Sequence, residues 1–587
     1  MANLFNYLFG FLSILLGLNK KKILNLSNYK YPSPKDKEYT YIPIIATTDL
    51  HGYGFQRHIP SSHNFSYGGA SLLSSYIDAI RKEWGKDNFL YLDSGDKYQG
   101  GAESTISNAT IMTEIFNYLN LHASAIGNHE FDNGLNFFEK QMNLSKSPFI
   151  TTNIRKASNN DSNAFNAKNF LQKKIYEING IKIGILGYTP LFTYYAGNDV
   201  LDKLNFLKMK DSIIQESKIL REQDKVNSVV LIIHYGIECY HDSQELNIYN
   251  ISHSHDSINC NIQENELYEY IMEYPGTIDV VFGGHVHYPG HHFFNGIPVI
   301  HSKDRGVHFH IAYLPFKNGQ LIKENIQVEG PIPLCDRISN QTKTCSYNDR
   351  NDEMFQFTFH NSLIRYNEKI ERSILNKYYK EFSKYKKFVC FNEDAVIERT
   401  KTENIIGNLE TDAIRNKTSA DFALLNNGAF RAVWYPGTLY LEDILNMNPF
   451  FSKIVTIEMT GAEIYQAMNI LQTGKKKYYA VSGMRQFFKQ EKGIYVIKNI
   501  TLSNGKEIEK NRVYVIATNE FIAGGGDEFK DVLKWDKVKN KKYYEKITDA
   551  IEEYSVRKQV IKKMIIMKMT QKKEDCFFLM LSFKIIF

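Results

Sequence analysis

An α/β layered fold is predicted by three features of this chain: short apolar, β-branched runs of strand length, helical stretches between them, and polar clusters directly after the runs. The runs begin at Tyr41 and occupy 41–46, 89–92, 123–126, 181–186, 228–233 and 278–282, with a helical stretch such as 69–84 between successive members. Polar residues placed just past such strands gather along one edge of a sheet. Open α/β sheets bind their ligands at that edge.

A length of 587 residues allows two or more domains with large cores, and 43% hydrophobic with 23% charged residues is ordinary globular composition, which excludes a disordered chain. The net charge of +6 is small and its lysines are scattered, so no nucleic-acid partner is expected. The six cysteines form no CxxC pair. Cys239 with Cys260, and Cys335 with Cys345, are close enough in sequence to bridge in an oxidising compartment, and the sequence leaves both pairings open. Residues 4–18 are apolar over a length suited to the core of a signal peptide, but no Lys or Arg precedes them and Lys20, Lys21 and Lys22 follow. Residues 1–22 are therefore read as a signal peptide or an N-terminal anchor, with membrane association through that segment and a secreted or cell-surface location. Sequons at Asn64, Asn108 and Asn499 permit glycosylation.

The strand pattern divides the chain. Residues 40–330 form the first domain. Residues 331–387 read as a linker and a connecting helix, with Phe355, Phe359, Leu363, Ile364, Ile370 and Ile374 near helical spacing. Residues 388–546 form a second periodic region, and 547–587 a basic and apolar peripheral tail.

The chemistry lies in five clusters: Asp49-Leu50-His51, Gly95-Asp96, Gly127-Asn128-His129-Glu130, His234, and Gly284-His285-Val286-His287. In Asp49-x-His51, alternate side chains leave one side of an extended backbone and can reach one metal. The same holds for His285-x-His287, where two histidines after a buried strand rarely serve packing alone. Imidazole with carboxylate suits zinc, manganese, iron or cobalt, whereas an all-oxygen site favours magnesium or calcium. His58, His63, His253, His255, His291 and His292 sit in loop-like contexts and are read as solvated surface residues.

In this order the clusters resemble the calcineurin-like metallophosphoesterases, and the run from Gly127 to Asp132 resembles the 5′-nucleotidase branch. The resemblance implies a four-layer α/β/β/α sandwich joined by a helix to a C-terminal α/β nucleotide-binding domain. It implies two divalent metal ions, zinc foremost with manganese, cobalt or iron as alternatives. Asp49, His51, Asp96 and His287 would hold one ion, and Asp96, Asn128, His234 and His285 the other, with Asp96 bridging. His129, oriented by Asp132, would stabilise the transition state or protonate the leaving oxygen.

The second half resembles the substrate-binding domain of that family through Ile406-Gly407-Asn408-Leu409, the stretch from Leu425 to Arg431, Asn448-Pro449-Phe450, and the stretch from Asn519 to Asp527. By that resemblance Phe450 and Phe521 would sandwich a base, Asn426 and Asp527 would bond ribose or base edges, and Arg431 would meet the phosphate. A second phosphate-binding arginine falls at Arg399 only if the register slips, and Lys401 competes with it. Ala429 and Phe430 stand where the family has glycine and isoleucine, Asn427 stands where it has another glycine, and 299–306 departs from the family's small-residue version. The expected activity is hydrolysis of a nucleoside 5′-monophosphate to nucleoside and phosphate. Cyclic-nucleotide phosphodiesterase or nucleotide-sugar hydrolase activity on the same site is an alternative, as is a catalytically silent binding protein. The oligomeric state is left open.

Overall fold

The structure is a computed structural model that describes residues 23–25, 31–59, 65–191, 200–239, 260–392, 404–473, 479–491, 494–526, 529 and 541–558. The reading of 1–22 as a leader or anchor lies outside the described residues. Among the described residues, no helix is long and apolar enough to cross a membrane.

The first domain is built on two sheets. In the first, Thr40–Thr47, Leu90–Asp93, Ala123–Ser124 and Phe149–Ile150 run parallel, and His308–Lys317 pairs antiparallel with Thr40–Thr47. In the second, Ile181–Tyr188, Ser228–Ile233, Val280–Gly283 and Ile297–His301 run parallel, with Lys173–Ile178 and Gly290–Phe294 antiparallel at the edges.

Period-two alternation sorts the side chains into layers. Ile42, Ile44 and Ala46 pack with Ile183, Ile185, Val230 and Ile232 between the sheets. Their neighbours Ile45 and Tyr91 turn outward into a cluster with Leu72, Ile77, Ile111 and Ile115, which belong to the helices Ala70–Trp84 and Thr110–Leu119. Val229, Leu231 and Ile233 turn outward beneath the helices Met209–Glu222 and Glu266–Glu273. Covering both faces explains why the strands are near-continuous apolar runs. Each buried isoleucine contributes about 1.5–3 kcal/mol. The result is the α/β/β/α sandwich.

The stretch read as linker and helix differs. The strand Gln327–Pro333 crosses position 330, and Met354–Phe359 is a strand paired with Ile23–Asn25, with helix starting only at Glu368–Ile370. Phe357, Phe359, Ile364, Ile370, Ile374, Leu375, Tyr378 and Phe382 are buried in the outer core of the first domain. The spacing read as helical mixes the buried alternate residues of a strand with those of a later helix.

The second domain is a sheet in the order Tyr479–Ser482, Phe422–Asn426, Val513–Asn519, Lys453–Thr460, Lys542–Lys546. Helix Gly461–Thr473 packs on one face with Leu424, Val455 and Ile457. Helix Ile405–Thr418 packs on the other with Leu425, Ile454 and Ala517. The sequence ends this domain at 546, yet 547–558 are helical and Ile547, Ala550 and Ile551 are buried in the same face. Cys239–Cys260 and Cys335–Cys345 are disulfide-bonded.

A buried ion cluster fastens the Met354–Phe359 hairpin to the sandwich. His360 and Asn361 both have positive φ, 46° and 58°, as a two-residue hairpin turn of type I′ requires. His360 bonds Glu83 through Nδ1, and its Nε2 lies 3.2 Å from Glu329 Oε2, which also accepts from the Tyr313 hydroxyl at 2.6 Å. Burial opposes the imidazolium, but Glu329 and Glu83 outweigh it and push the pKa up to about 9. A folded pKa above the unfolded value of about 6.5 means stabilisation that is complete below that pH and lost as the pH rises through the folded pKa. The wild-type melting temperature is therefore expected to fall from pH 6.5 to 9 more steeply than that of His360→Leu, by calorimetry. Parallel curves would remove the charge on His360 from this account.

Candidate metal centre

The polar clusters all emerge at the carboxyl ends of parallel strands, where the two sheets meet. The first sheet delivers Asp49 and His51 after Thr40–Thr47, Asp96 after Leu90–Asp93, and Asn128 after Ala123–Ser124. The second delivers His234 after Ser228–Ile233, and His285 and His287 after Val280–Gly283. Two groups form across the junction, Asp49–His51–His287 and Asp96–His234–His285, each with ligand atoms within 4.8 Å of one another. The Asn128 Oδ1 lies 3.2 Å from His285 Nδ1 and so joins the second group. Asp96 Oδ2 is 2.9 Å from His234 Nε2 and 3.8 Å from His51 Nε2, so one carboxylate reaches both groups.

Backbone geometry makes the convergence possible. Asp49, His51, Asp96, His285 and His287 all have positive φ, between 48° and 72°. For residues with a Cβ this costs about 1–3 kcal/mol each and persists only where the surroundings over-determine it. The ligand loops hold one another: Asp49 N donates to Gly95 O at 3.0 Å, His51 N to Asp96 O at 2.9 Å, and His129 N to Asp96 Oδ1 at 2.8 Å. Gly127 is required by packing, because a Cβ there would stand 2.2 Å from Asp96 Oδ1.

The donor set fits divalent cations. His51 Nδ1 lies 2.9 Å from Gln99 O and His234 Nδ1 lies 2.8 Å from Ser94 O, and a carbonyl can only accept, so each ring carries its proton on Nδ1. The other ring nitrogens converge on one another and on a carboxylate: His51 Nε2 is 3.1 Å from His287 Nε2, and His287 Nε2 is 3.2 Å from Asp49 Oδ1. Burial opposes charge on His287, but Asp304 and Asp49 outweigh it and raise its pKa. A divalent cation among them would take the place of a proton on His287 Nε2. Burial pushes the pKa values of His51 and His285 down to about 3, which keeps both neutral and able to ligate. At His234 burial acts in the same direction, but Asp96 and Asp49 outweigh it and push the pKa up to about 10. Positive charge is wanted there.

Residues that sequence reasoning left without a role support the ligands. Glu130 is buried and accepts from three backbone N–H groups, Asp96 and Lys97 at 2.8 Å and Gly127 at 2.6 Å, tying the Asp96 loop to the Asn128 loop. Burial and Asp96 push its pKa up to about 7. Asp304 lies 3.4 Å from His287 Nδ1 and orients that ring. The signal for Asp304 was a carboxylate just past the strand beside the His-x-His strand; Glu130 stands inside the Gly127–Asp132 motif, but two of its three partners, Asp96 and Lys97, are 34 and 33 residues earlier. His292, read as a surface residue, is buried, because Gly290–Phe294 is a strand and not a loop.

The second domain reaches this centre. His129 Nδ1 lies 2.7 Å from Asp132 Oδ2, and its Nε2 accepts from the Arg431 guanidinium at 3.0 Å. The Arg431 guanidinium also lies 5.3 Å from the Phe450 ring centroid, and the rings of Phe450 and His129 are 6.1 Å apart. Asn426, at the end of Phe422–Asn426, accepts from Asn519, which caps the short helix carrying Phe521. The Phe521 ring packs so tightly on Gly526 that a Cβ there would meet it at 2.5 Å. Asn427–Ala429 forms a 3₁₀ turn with no positive φ, so its backbone needs no glycine at Asn427 or Ala429. Arg399, Lys401 and Asp527 lie outside the described residues.

Residues 42–289 match the family described as calcineurin-like phosphoesterase, and residues 389–534 the one described as 5′-nucleotidase, C-terminal domain. The chain belongs to the 5′-nucleotidase family of calcineurin-like phosphoesterases. It is a phosphoester hydrolase. It is 24% identical to Protein UshA of Escherichia coli over 529 residues, covering 84% of this chain and 87% of that one. It is 22% identical to a 5′-nucleotidase of Vibrio vulnificus over 527 residues, covering 83% and 85%. The crystal structure of a 5′-nucleotidase precursor from Thermus thermophilus superposes with a TM-score of 0.68 at 17% identity, covering 88% of this chain and 97% of that one. At that identity the superposition shows the fold.

Two substitutions test the support. Asp304→Asn is expected to lower metal affinity or turnover about 10- to 100-fold, read by metal titration. In Glu130→Gln the amide nitrogen faces N–H donors, and each donor left unsatisfied costs about 1–3 kcal/mol. A lower melting temperature together with weaker metal binding is expected, and a wild-type melt would remove that role from Glu130.

Proposed function

We propose that this hydrolase removes phosphate from nucleotides, a nucleoside 5′-monophosphate foremost. One observation carries the reading: an arginine and an aromatic ring of the second domain, Arg431 and Phe450, meet His129 beside the paired metal groups. Asp49, His51, Asp96 and His287 would hold one divalent ion, and Asp96, Asn128, His234 and His285 the other, zinc foremost among zinc, manganese, cobalt and iron. Such a pair supplies Lewis-acid stabilisation of phosphoryl charge and an acidified water as nucleophile.

The protein's own groups then divide the work. Arg431 offers a planar fork to phosphoryl oxygens, and in turning to them it releases His129 Nε2. Asp132 holds the His129 ring through Nδ1, which leaves Nε2 as the atom that exchanges a proton with the leaving oxygen. Phe450 and Phe521 make no ring contact with each other, and a base between them gains about 1–3 kcal/mol of stacking without strict choice of base. Residues 354–382 and Tyr385 pack with the first domain, so any rotation of the second would pivot after Tyr385. The two disulfides support an oxidising compartment, and with it a secreted or surface location.

Purified protein would be incubated with AMP, other nucleoside monophosphates, cyclic nucleotides and UDP-glucose, with and without a chelator. Release of phosphate from AMP that the chelator abolishes is expected. Activity on none of them, as from a silent binding protein, overturns the proposal. Asp96→Ala is expected to lose metal and at least about 100-fold in turnover. Phe450→Ala is expected to raise KM roughly 5- to 100-fold with kcat little changed.

A further inference from the structure

The helix Ile405–Thr418 buries an acid where its own spacing asks for an apolar residue. Ile406, Ala413 and Ile414 pack into the core of the second domain, and position 410, four residues after the first and four before the last, lies on the same face. Glu410 stands there with 0% of its surface exposed. Burial raises its pKa to about 8, so at neutral pH it is mostly a carboxylic acid and leaves little buried charge. Its Oε2 accepts from Asn448 Nδ2 at 2.8 Å, and its Oε1 makes no hydrogen bond to the described residues. Among the described residues, Asn448 is the one polar group that engages this carboxyl.

Asn448 closes the helix Leu441–Met447, and Pro449 and Phe450 follow it directly. Three successive residues of this turn are tied to three different places. Asn446 Oδ1 accepts from Ala102 N of the first domain at 2.9 Å, Met447 O accepts from Arg431 N at 2.8 Å, and Asn448, itself 1% exposed, is held by Glu410. The first two ties fix the domain contact and Arg431 without Glu410. The third comes just before Phe450, whose ring centroid lies 5.3 Å from the Arg431 guanidinium and 6.1 Å from the His129 ring. A buried donor left without its acceptor costs about 1–3 kcal/mol. Stacking of a base gains about 1–3 kcal/mol, so this bond is strong enough to decide where the ring is held.

We propose that Glu410 is a positioning residue for nucleotide binding, acting through Asn448 to hold Phe450 where the base of the substrate stacks. This rests on the nucleotide reading of the site. In the metal-loaded full-length protein, Glu410→Leu is expected to raise KM for AMP about 5- to 50-fold with kcat little changed, and to leave kcat/KM for ribose 5-phosphate, which has no base, within about 2-fold. Glu410→Gln keeps an acceptor for Asn448 and is expected to restore KM for AMP. Asn448→Ala removes the same bond from its other end with a smaller change in the core, and is expected to show the same split between the two substrates. Adding Glu410→Leu to Phe450→Ala is expected to raise KM no further than Phe450→Ala alone, because both act on one ring. Equal losses on AMP and ribose 5-phosphate, or additive effects of the two substitutions, would show that Glu410 serves only the packing of the domain, and would overturn the proposal.

A second measurement needs no turnover. Adenosine is expected to raise the melting temperature of the wild type and of Glu410→Gln, and to raise that of Asn448→Ala and Glu410→Leu less. An equal rise in all four, or none in the wild type, overturns the proposal. If adenosine discriminates among the variants as expected but no nucleotide is hydrolysed, the positioning role stands and the proposed activity falls.

Discussion

Carboxylates and imidazoles crowded together at the junction of two parallel sheets are the constraint around which this molecule is arranged. The Nε2 atoms of His51 and His287 are 3.1 Å apart, and Asp49 and Asp96 crowd the same space. Without positive charge such a cluster pushes itself apart, and several of its members also sit in backbone conformations that L residues avoid. The sandwich resists this. Strand register brings the ligand loops together from both sheets, and hydrogen bonds between the loops leave them no other arrangement.

Behind the ligands a second charged layer balances the first. Glu130 gathers three N–H groups, and Lys97, next to the shared carboxylate Asp96, is buried with its ammonium 3.7 Å from the Phe149 ring centroid. Burial lowers the Lys97 pKa to about 8 and raises that of Asp93 to about 6, so neither is held in its charged form as firmly as in water. The same economy of contacts operates across the domains. Ala102 N donates to Asn446 Oδ1 at 2.9 Å, and Arg431, whose N–H donates to Met447 O next in the chain, meets His129, so the second domain is docked beside the candidate metal groups.

Much of this was legible beforehand. Strand runs covered on both faces are apolar throughout, and a polar loop after each breaks that pattern abruptly, so the candidate ligand clusters stood out at Asp49, Asp96, Asn128, His234, His285 and His287. The Arg431 and Phe450 pair was legible through resemblance. The segment 354–359 was misread because a strand followed by a turn and a helix leaves apolar residues at spacings that imitate one long helix. His292 was misread because a two-residue gap after the His-x-His loop hides the start of an edge strand.

By itself the sequence determined the layered fold, the order of the candidate ligand loops and the types of atom they carry, because periodicity and side-chain chemistry are local properties of the chain. Tertiary structure alone decided which candidate ligands share a group, that Glu130 and Asp304 bond to their loops and rings, and that Arg431 meets His129. The physical reason is that a hydrogen bond or an ion pair depends on distance in space. Glu130 lies 34 residues from Asp96 and Arg431 lies 302 from His129, separations across which no pattern in the sequence records that they touch.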